Sequence, residues 1–457
     1  MFTRSLTASA LLALALPHAA LASGDEDLQA LRREVAEMKS AYEARIAALE
    51  KRLAAAETTA GEANQRASAA EAAATAPAPA PAANANAFNP AISLILSGLY
   101  SNLSQDPANY RISGFQLPSN VRDEIKPQRG FSLAESELGI YANVDPLFYG
   151  GFNLAVHPDD TVSVEEAFVQ TTALPHGLTL KGGRFFSGIG YLNEQHAHVW
   201  DFVDAPLAYQ AFLGGQYGND GIALRWLAPI ETYLEIGAEI GRGQNFPGTG
   251  RDKNGAGSSA LYAHVGGDVG VSHSWRAGVS VLKTSPQDRQ WDDSDLFGNA
   301  VSNTFSGDSR LWIVDGVWKW APNGDATYRN FKLQGEYLRR HEDGTVVYDT
   351  AGANLPAPYD ATQSGWYVQG VYQWAPYWRV GLRTERLDPG SVSYGANDAN
   401  LARSGFKPKR NSIMVDYNPS EFSRIRLQLS QDESREGITD NQAFLQYQMS
   451  IGAHGAH

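Results

Sequence analysis

The chain has 457 residues and a formal net charge of −13, from 37 Lys and Arg against 50 Asp and Glu. This acidic balance disfavours nucleic acid as a partner, because binding to phosphate requires a basic patch. Cysteine is absent, which excludes disulfides, thiolate zinc sites and a cysteine nucleophile.

Glycine and aromatic residues are abundant, with 44 Gly, 20 Tyr, 18 Phe and 10 Trp, although the mean hydropathy is negative. Beyond the N-terminal segment, no apolar run is long enough for a helix to cross a bilayer. Both properties are typical of a membrane β-barrel, in which only every second residue of a strand meets lipid.

Residues 1–22 predict a secretory signal peptide. Arg4 supplies the positive start, Ala10–Leu16 a short apolar core, and Ala20–Ala22 a cleavage site with small residues at both ends. The apolar core is too short for an anchoring helix that spans the membrane. We therefore expect the mature protein to start near Ser23.

Residues 23–57 predict a short α-helical coiled coil, and residues 58–87 an Ala/Pro-rich linker. A seam with spacings of three and four in a solvated helix requires partner copies, which favours a coiled coil over a lone amphipathic helix. One extra step of four is a stutter in this pattern. The seam consists of Leu28, Leu31, Val35, Met38, Tyr42, Ile46, Leu49 and Leu53.

Residues 88–457 predict an all-β domain, a 16-stranded antiparallel transmembrane β-barrel. Alternating segments of about ten residues are the signature of such a barrel. The predicted strands are 91–102, 131–143, 147–156, 162–173, 178–187, 220–228, 232–242, 258–269, 273–284, 309–320, 328–341, 363–374, 377–387, 411–418, 422–431 and 442–452.

The connections between these strands alternate between short turns and longer loops. Seven short turns and eight outer loops are what sixteen strands require when both termini lie on one side. One face of each strand is polar and carries charge, which predicts a water-filled lumen. Aromatic residues beside the short turns predict an interfacial girdle: Phe148, Trp320, Tyr328, Trp374, Tyr377, Trp378, Tyr417 and Phe422.

The third outer loop, Gly188–Asn219 (called L3 below), lacks strand alternation and gathers acidic, histidine and aromatic residues. Its candidate functional residues are Glu194, His196, His198, Asp201 and Asp204. Lumen-facing arginines on later strands are expected opposite the loop. These are Arg379, Arg383, Arg424 and Arg426.

The segments FSLAESELGIYANVDPLFYGGFNLAV (131–156) and VEEAFVQTTALPHGLTLKGGRFFSGIGYLNEQHAH (164–198) are similar to the opening strands and third loop of the phosphate-selective porin group. The chain thus resembles the sixteen-stranded porins of Gram-negative outer membranes over roughly 88–452. Some similar sequences carry the label of zinc-regulated TonB-dependent receptors, which have larger barrels and a folded plug domain. No room for such a plug exists between Ala22 and Phe88.

The resemblance implies a porin in the outer membrane of a Gram-negative bacterium, with the coiled coil in the periplasm. We expect a homotrimer held by barrel contacts and the coiled coil, with membrane lipid and small solutes as its other partners. L3 would fold into the lumen as a constriction, and its carboxylates would face the four arginines. Such a basic wall opposite an acidic loop creates a transverse field that orients dipolar solutes.

Three alternatives stay open. A substrate-specific channel for a phosphate-type anion would need a continuous ladder of Arg and Lys. A receptor for a metal ion could use His196 and His198 as zinc ligands with the L3 carboxylates, although two histidines on a polar loop can equally form ordinary hydrogen bonds. A tether between membrane and cell wall is the third. No nucleophile elbow or triad is present, so we predict no enzyme activity and no obligate cofactor.

Overall fold

The computed structural model describes residues 90–159, 161–250 and 252–452. Phe88–His457 is a compact unit of its own. The predicted signal peptide and coiled coil lie outside the described residues, as does the predicted linker. Within the described residues, no helix has the length and apolar character needed to span a membrane.

Antiparallel strands close into one continuous sheet, because β1 pairs with both β18 and the β2/β3 pair. The segments are β1 Ala91–Leu103, β2 Gly130–Leu133, β3 Ser136–Asp145, β4 Phe148–Val156, β5 Val162–Thr171, β6 Leu178–Phe186, β7 Gly218–Leu227, β8 Tyr233–Gly241, β9 Ser258–Val269, β10 His273–Thr284, β11 Arg289–Ser294, β12 Ala300–Trp320, β13 Asn330–Tyr348, β14 Leu355–Ala375, β15 Trp378–Ser393, β16 Lys409–Ser420, β17 Ser423–Glu433 and β18 Asp440–Gly452. Two short α-helices lie in the loops, α1 Ser119–Ile125 and α2 Leu207–Leu213.

These segments make sixteen barrel strands. β2 and β3 form one strand, since both pair with β1 and only Ala134 and Glu135 separate them. β11 pairs with the outer part of β12, whereas β10 pairs with its inner part. The sixteen-stranded antiparallel barrel predicted from the sequence is therefore confirmed.

Four strands extend farther toward the outer loops than the alternating polar and apolar residues of the sequence predicted. β12 to β15 are 16 to 21 residues long and continue past the predicted strand ends. Their outer ends enclose a small apolar cluster that includes Trp291, Phe305 and Tyr359. Gly, Asp and Pro in these parts interrupt the alternating pattern, so sequence periodicity does not reveal the extensions.

The two faces of each strand differ in chemistry, as β17 shows. Ile425, Leu427 and Leu429 are 41 to 49% exposed on the outer face, while Arg426 and Gln428 on the inner face are almost fully buried. Alternation of this kind places an apolar surface around the outside of the barrel. Several aromatic residues beside the short turns are exposed, among them Phe148, Trp374 and Trp378, whereas the exposed Tyr328, Tyr377 and Phe422 line a cavity among these turns.

Outer loops pack an apolar core inside part of the barrel, which the sequence did not predict. Ile112, Phe115 and Val121 of the first outer loop meet L3, whose helix α2 is buried at every position. The wall side chains at this level contact protein rather than solvent. The core consists of residues from the first outer loop, from L3, from strands β9, β10 and β12 to β15, and of Phe246 in the loop between β8 and β9.

The side chain of Tyr262 on β9 packs between two glycines, one in the barrel wall and one in L3. A Cβ atom at Gly237 on β8 would lie 2.0 Å from the Tyr262 ring, and one at Gly188 of L3 would lie 2.5 Å from it. Tyr262 is itself buried in the core of the barrel. Glycine at these two positions is therefore a steric requirement for this packing.

We predict that Gly237→Ala lowers the free energy of unfolding by about 1–3 kcal/mol, because the added methyl group forces the Tyr262 ring out of its slot. The matched control is Gly182→Ala on β6, where a Cβ atom would meet nothing within 4 Å. The measurement is the urea midpoint of the folded barrel, read from its mobility on a gel without boiling. Equal midpoints for the two variants would contradict the steric argument.

Candidate pore constriction

The base of L3 is closed by hydrogen bonds between its two ends. The Ser187 backbone N–H donates to the Tyr217 carbonyl at 3.1 Å. The Asn193 amide donates to the carbonyls of both residues at 2.8 and 2.9 Å, and its oxygen accepts from the Tyr217 N–H at 2.8 Å. L3 therefore enters and leaves the wall at one place, between β6 and β7, and its middle is free to cross the lumen.

Glu336 on β13 anchors the first turn of L3 from the opposite wall. Its carboxylate accepts from the backbone N–H groups of Tyr191 and Leu192 at 3.3 and 3.0 Å. It also accepts from the hydroxyls of Tyr209 and Tyr367 at 2.9 and 2.6 Å. Four donors converge on one buried carboxylate, so its burial is compensated by hydrogen bonds rather than by a cation.

Asp201, one of the predicted constriction residues, lies against the later strands. Its carboxylate contacts the Lys332 ammonium at 2.5 Å and the Arg379 guanidinium at 3.3 Å, and accepts from the Gln369 amide at 3.1 Å. Burial raises the pKa of Asp201, but Lys332 and Arg379 outweigh it and hold the pKa at about 2. Asp201 is therefore ionised at neutral pH.

Asp204 forms a second ion-pair network three residues after Asp201 in the loop. Its two oxygens lie 2.6 Å from Arg383 and 2.7 Å from Arg410, and Glu385 bridges the same two arginines. Burial raises the pKa of Asp204, whereas Arg383 and Arg410 lower it to about 2. Gln428 donates to the same carboxylate at 2.9 Å.

The remaining predicted arginines bind L3 through its backbone. Arg424 donates to the carbonyls of His198 and Trp200, and Arg426 donates to the Trp200 carbonyl at 2.8 Å. Arg426 also pairs with Asp416 on β16 at 2.8 Å. The sequence predicted that these arginines would face carboxylates of the loop. For Arg424 and Arg426, the structure instead shows bonds to loop carbonyls.

Unlike Asp201 and Asp204, which pair with the later strands, Glu194 forms an ion pair with Arg225 on β7. The predicted L3 carboxylates are thus all paired with basic side chains of the wall, Glu194 on β7 and the two aspartates on β13, β15 and β16. The prediction of an acidic loop facing a basic wall across an open gap differs from the structure at Glu194, Asp201 and Asp204, where the charges are in contact.

His196 and His198 meet glutamates of the early strands, not the L3 carboxylates with which the sequence grouped them. His196 Nδ1 lies 3.1 Å from Glu137, and His198 Nδ1 lies 2.8 Å from the same carboxylate. Glu165 and Glu166 on β5 each lie 3.2 Å from the His196 ring. Burial lowers the pKa of His196, but hydrogen bonds to these three carboxylates raise it well above the usual value.

L3 thus has contacts with both halves of the wall. The early strands β3 and β5 contact His196 and His198, and the later strands β13 to β16 contact Asp201, Asp204 and α2. Sequence reasoning named the loop residues and the wall arginines but missed several partners of these two groups, namely Glu165, Glu166, Glu385, Arg410 and Asp416. The doubled glutamate in VEEAF was a local signal for the first two. The others carry no signal beyond the polar face of their strands.

Two cavities lie on different sides of these contacts and share no lining residue. One, of about 710 Å³, opens among the short turns and is lined by His198, Arg379, Arg424, Glu421 and neighbouring residues. The other, of about 720 Å³, lies among the outer loops beside α1 and the segments 244–250, 252–253 and 287–290. The predicted residues His198, Arg379 and Arg424 line the first cavity.

We predict that Asp204→Asn destabilises the protein by about 3 kcal/mol at pH 7, because it leaves two buried arginines with less negative charge. The native carboxylate has a pKa of about 2 against an ordinary 3.8, so its contribution is complete above pH 4 and is lost as the pH falls through about 2. Urea midpoints between pH 7 and pH 2 should therefore converge for the two proteins. The exposed Asp360→Asn serves as control, and a gap that stays constant with pH would refute the assignment.

No protein-family profile matches the chain. Among solved structures, the barrel resembles a loop L8 deletion mutant of OmpT, an outer membrane protein of Vibrio cholerae, with a TM-score of 0.50 and 11% identity over 79% of this chain and 99% of that one. OprB of Pseudomonas putida aligns with a TM-score of 0.46, 15% identity, and coverage of 79% and 94%. The first likeness agrees with the fold described above.

A sequence relative gives the family. An uncharacterized protein of Aquifex aeolicus (strain VF5) is 30% identical over 397 residues, which cover 81% of this chain and 80% of the relative. An alignment of that length includes most of the residues of the barrel. The chain therefore belongs to the same family as this Aquifex aeolicus protein.

Proposed function

We propose that the protein is an outer-membrane porin, a channel for passive diffusion of small hydrophilic or ionic solutes that L3 constricts. The observation that carries the proposal is the course of L3, which is bonded to early and later strands of a closed sixteen-stranded barrel. A barrel of this size encloses enough space for a channel, and a loop inside it sets the narrowest section.

The outer surface supports a membrane location. Apolar side chains such as Leu261, Leu382 and Ile425 are exposed on the outside of the barrel, and exposed aromatic side chains border the short turns. A surface of this kind is stable against lipid and unfavourable in water. The proposal places the barrel in the outer membrane of a Gram-negative bacterium, with the short turns and residues 23–57 toward the periplasm.

The charges near the cavity among the short turns favour small anions, and this supports a phosphate-type anion as the second candidate solute. Arg424 is bonded to carbonyl and amide oxygens rather than to a carboxylate. Among the described residues, Arg424 therefore has no ion-pair partner that would cancel its charge. Arg379 lines the same cavity but is paired with Asp201 and Asp416, and Glu421 is the one acidic residue that lines the cavity among the described residues. Guanidinium groups bind phosphate oxygens well.

A homotrimer is part of the proposal. The predicted coiled coil at 23–57 would join three copies, and side-by-side barrels would bury part of the exposed apolar surface. The absence of a charged outer face on strands such as β17 is compatible with such contacts.

We expect the purified, folded protein to produce stepwise conductance in planar lipid bilayers, in groups of three for a trimer. A folded preparation that inserts into vesicles but never conducts would contradict the porin proposal. Deletion of 23–87 tests the trimer separately. Loss of the groups of three with retention of single steps would assign the coiled coil to assembly and not to conduction.

We expect Arg424→Gln to shift the reversal potential in a salt gradient toward cations, because it removes a positive charge that has no direct ion pair with a carboxylate of the described residues. The control is Arg403→Gln, an exposed arginine paired with Asp398 on an outer loop, which should leave the potential unchanged. Equal potentials for both variants and the wild type would show that the cavity beside Arg424 does not determine selectivity.

A further inference from the structure

The early strands bring an unusual number of carboxylates to one point inside the barrel. β4 and β5 pair Asn153 with Glu166 and then Leu154 with Val164, so Glu165 is the extra residue of a β-bulge. A bulge re-aims a side chain that would otherwise point to the other face. Here it lets two consecutive glutamates reach the same ring, that of His196.

The strand next to β1 contributes two more carboxylates. Glu137 is the second residue of β3, and Glu135 lies in the short break between β2 and β3. Oxygens of Glu135, Glu137 and Glu165 lie within 4.8 Å of one another, and so do ligand atoms of Glu137, His196 and His198. Glu137 belongs to both groups and therefore stands at the centre of the cluster.

The spacing of the donor atoms fits a tetrahedral metal site. Donors around zinc lie about 3.3 Å apart when each bond is about 2.0 Å long. In the cluster, the two histidine Nδ1 atoms lie 2.8 and 3.1 Å from oxygens of Glu137, and Glu165 lies 3.2 Å from His196 Nδ1. Small shifts of these side chains would bring the donors around one ion.

The charges of the cluster also favour a cation. Four glutamates meet there, and the Lys181 ammonium, 3.2 Å from Glu166, is the one lysine or arginine paired with them among the described residues. Glu137, Glu166, His196 and His198 are each more than nine-tenths buried. Buried carboxylates are stable only when they are paired, protonated or bound to metal.

We propose that Glu137, His196 and His198, completed by Glu165, bind a divalent transition-metal ion of the Zn²⁺ class and so fasten L3 to β3 and β5. Two imidazoles select zinc-like ions over Mg²⁺ and Ca²⁺, which prefer oxygen ligands alone. The bound ion would fix the early side of L3, as the ion pairs of Asp201 and Asp204 fix the later side. The site is independent of whether the barrel conducts.

The experiment measures binding of Zn²⁺ to the folded, chelator-treated full-length chain by equilibrium dialysis with metal analysis. All proteins carry His454→Gln and His457→Gln, so that the C-terminal histidines contribute no ligands. We expect one Zn²⁺ per chain, and Co²⁺ in its place should give the intense visible absorption of a tetrahedral site. Mg²⁺ in large excess should not displace either ion.

The test variants are His198→Gln and Glu137→Gln, which keep a polar group of similar size and should weaken Zn²⁺ binding by more than about tenfold. The matched control is Glu239→Gln, a buried lumen glutamate that accepts from the Gly188 N–H and lies outside the cluster. Zn²⁺ should raise the urea midpoint of the wild type and the control but not of the test variants, and unboiled gel mobility verifies that each variant is folded.

Two outcomes would overturn the proposal. If the folded wild type binds no Zn²⁺, the cluster is held by hydrogen bonds between its own side chains and not by a metal ion. If the wild type and His198→Gln bind Zn²⁺ equally and with the same gain in urea midpoint, the ion occupies another place. In neither case would the conductance result change, so failure of the metal site is distinguishable from failure of the porin proposal.

Discussion

The structure depends on one constraint, the pairing of charged groups that the closed barrel turns inward. Every second residue of a strand faces the interior, and many of these residues are Arg, Glu or Asp. An inward charge must be hydrated or paired, because a bare charge in a protein interior costs several kcal/mol. L3 brings Asp201 and Asp204 to the basic later strands, and His196 and His198 to the acidic early strands. L3 therefore supplies partners for inward-facing charged groups on both sides of the barrel wall.

Apolar packing explains why the loop stays inside once its charges are paired. Helix α2 is buried along its whole length between the first outer loop and β13 to β15, and Arg340 lies over the Phe212 ring. Gly214, with φ of 69°, ends the helix in the left-handed conformation that favours glycine at this position. Ion pairs determine where L3 meets the wall, whereas packing in the apolar core keeps the loop from moving away from these positions. Neither effect alone accounts for both properties.

The sequence predicted the barrel well because its signal is periodic and repeated sixteen times. Alternation along β17 and the short turns beside aromatic residues required no knowledge of tertiary contacts. The site was predicted only in part. The loop residues were identified by type, but their partners lie 30 to 250 positions away in sequence, and these contacts depend on the register of the strands. The bulge at Glu165 is one such case, since a single extra residue decides which face a glutamate occupies. The apolar core inside the barrel escaped prediction because α2 (LAYQAFL) is too short to show helical periodicity.

The contacts also change how charge in this barrel should be interpreted. An acidic loop separated from a basic wall by water would create a field in proportion to all its charges. In this structure the acids of L3 touch their bases, and paired opposite charges cancel at distances longer than their separation. In the proposed channel, the field that acts on a solute would come from charged groups bound to neutral partners, such as Arg424 on the carbonyls of His198 and Trp200. The potential beside Arg424 can then be positive although the whole chain carries −13, because the sign of a local potential depends on which charges are paired and not on composition.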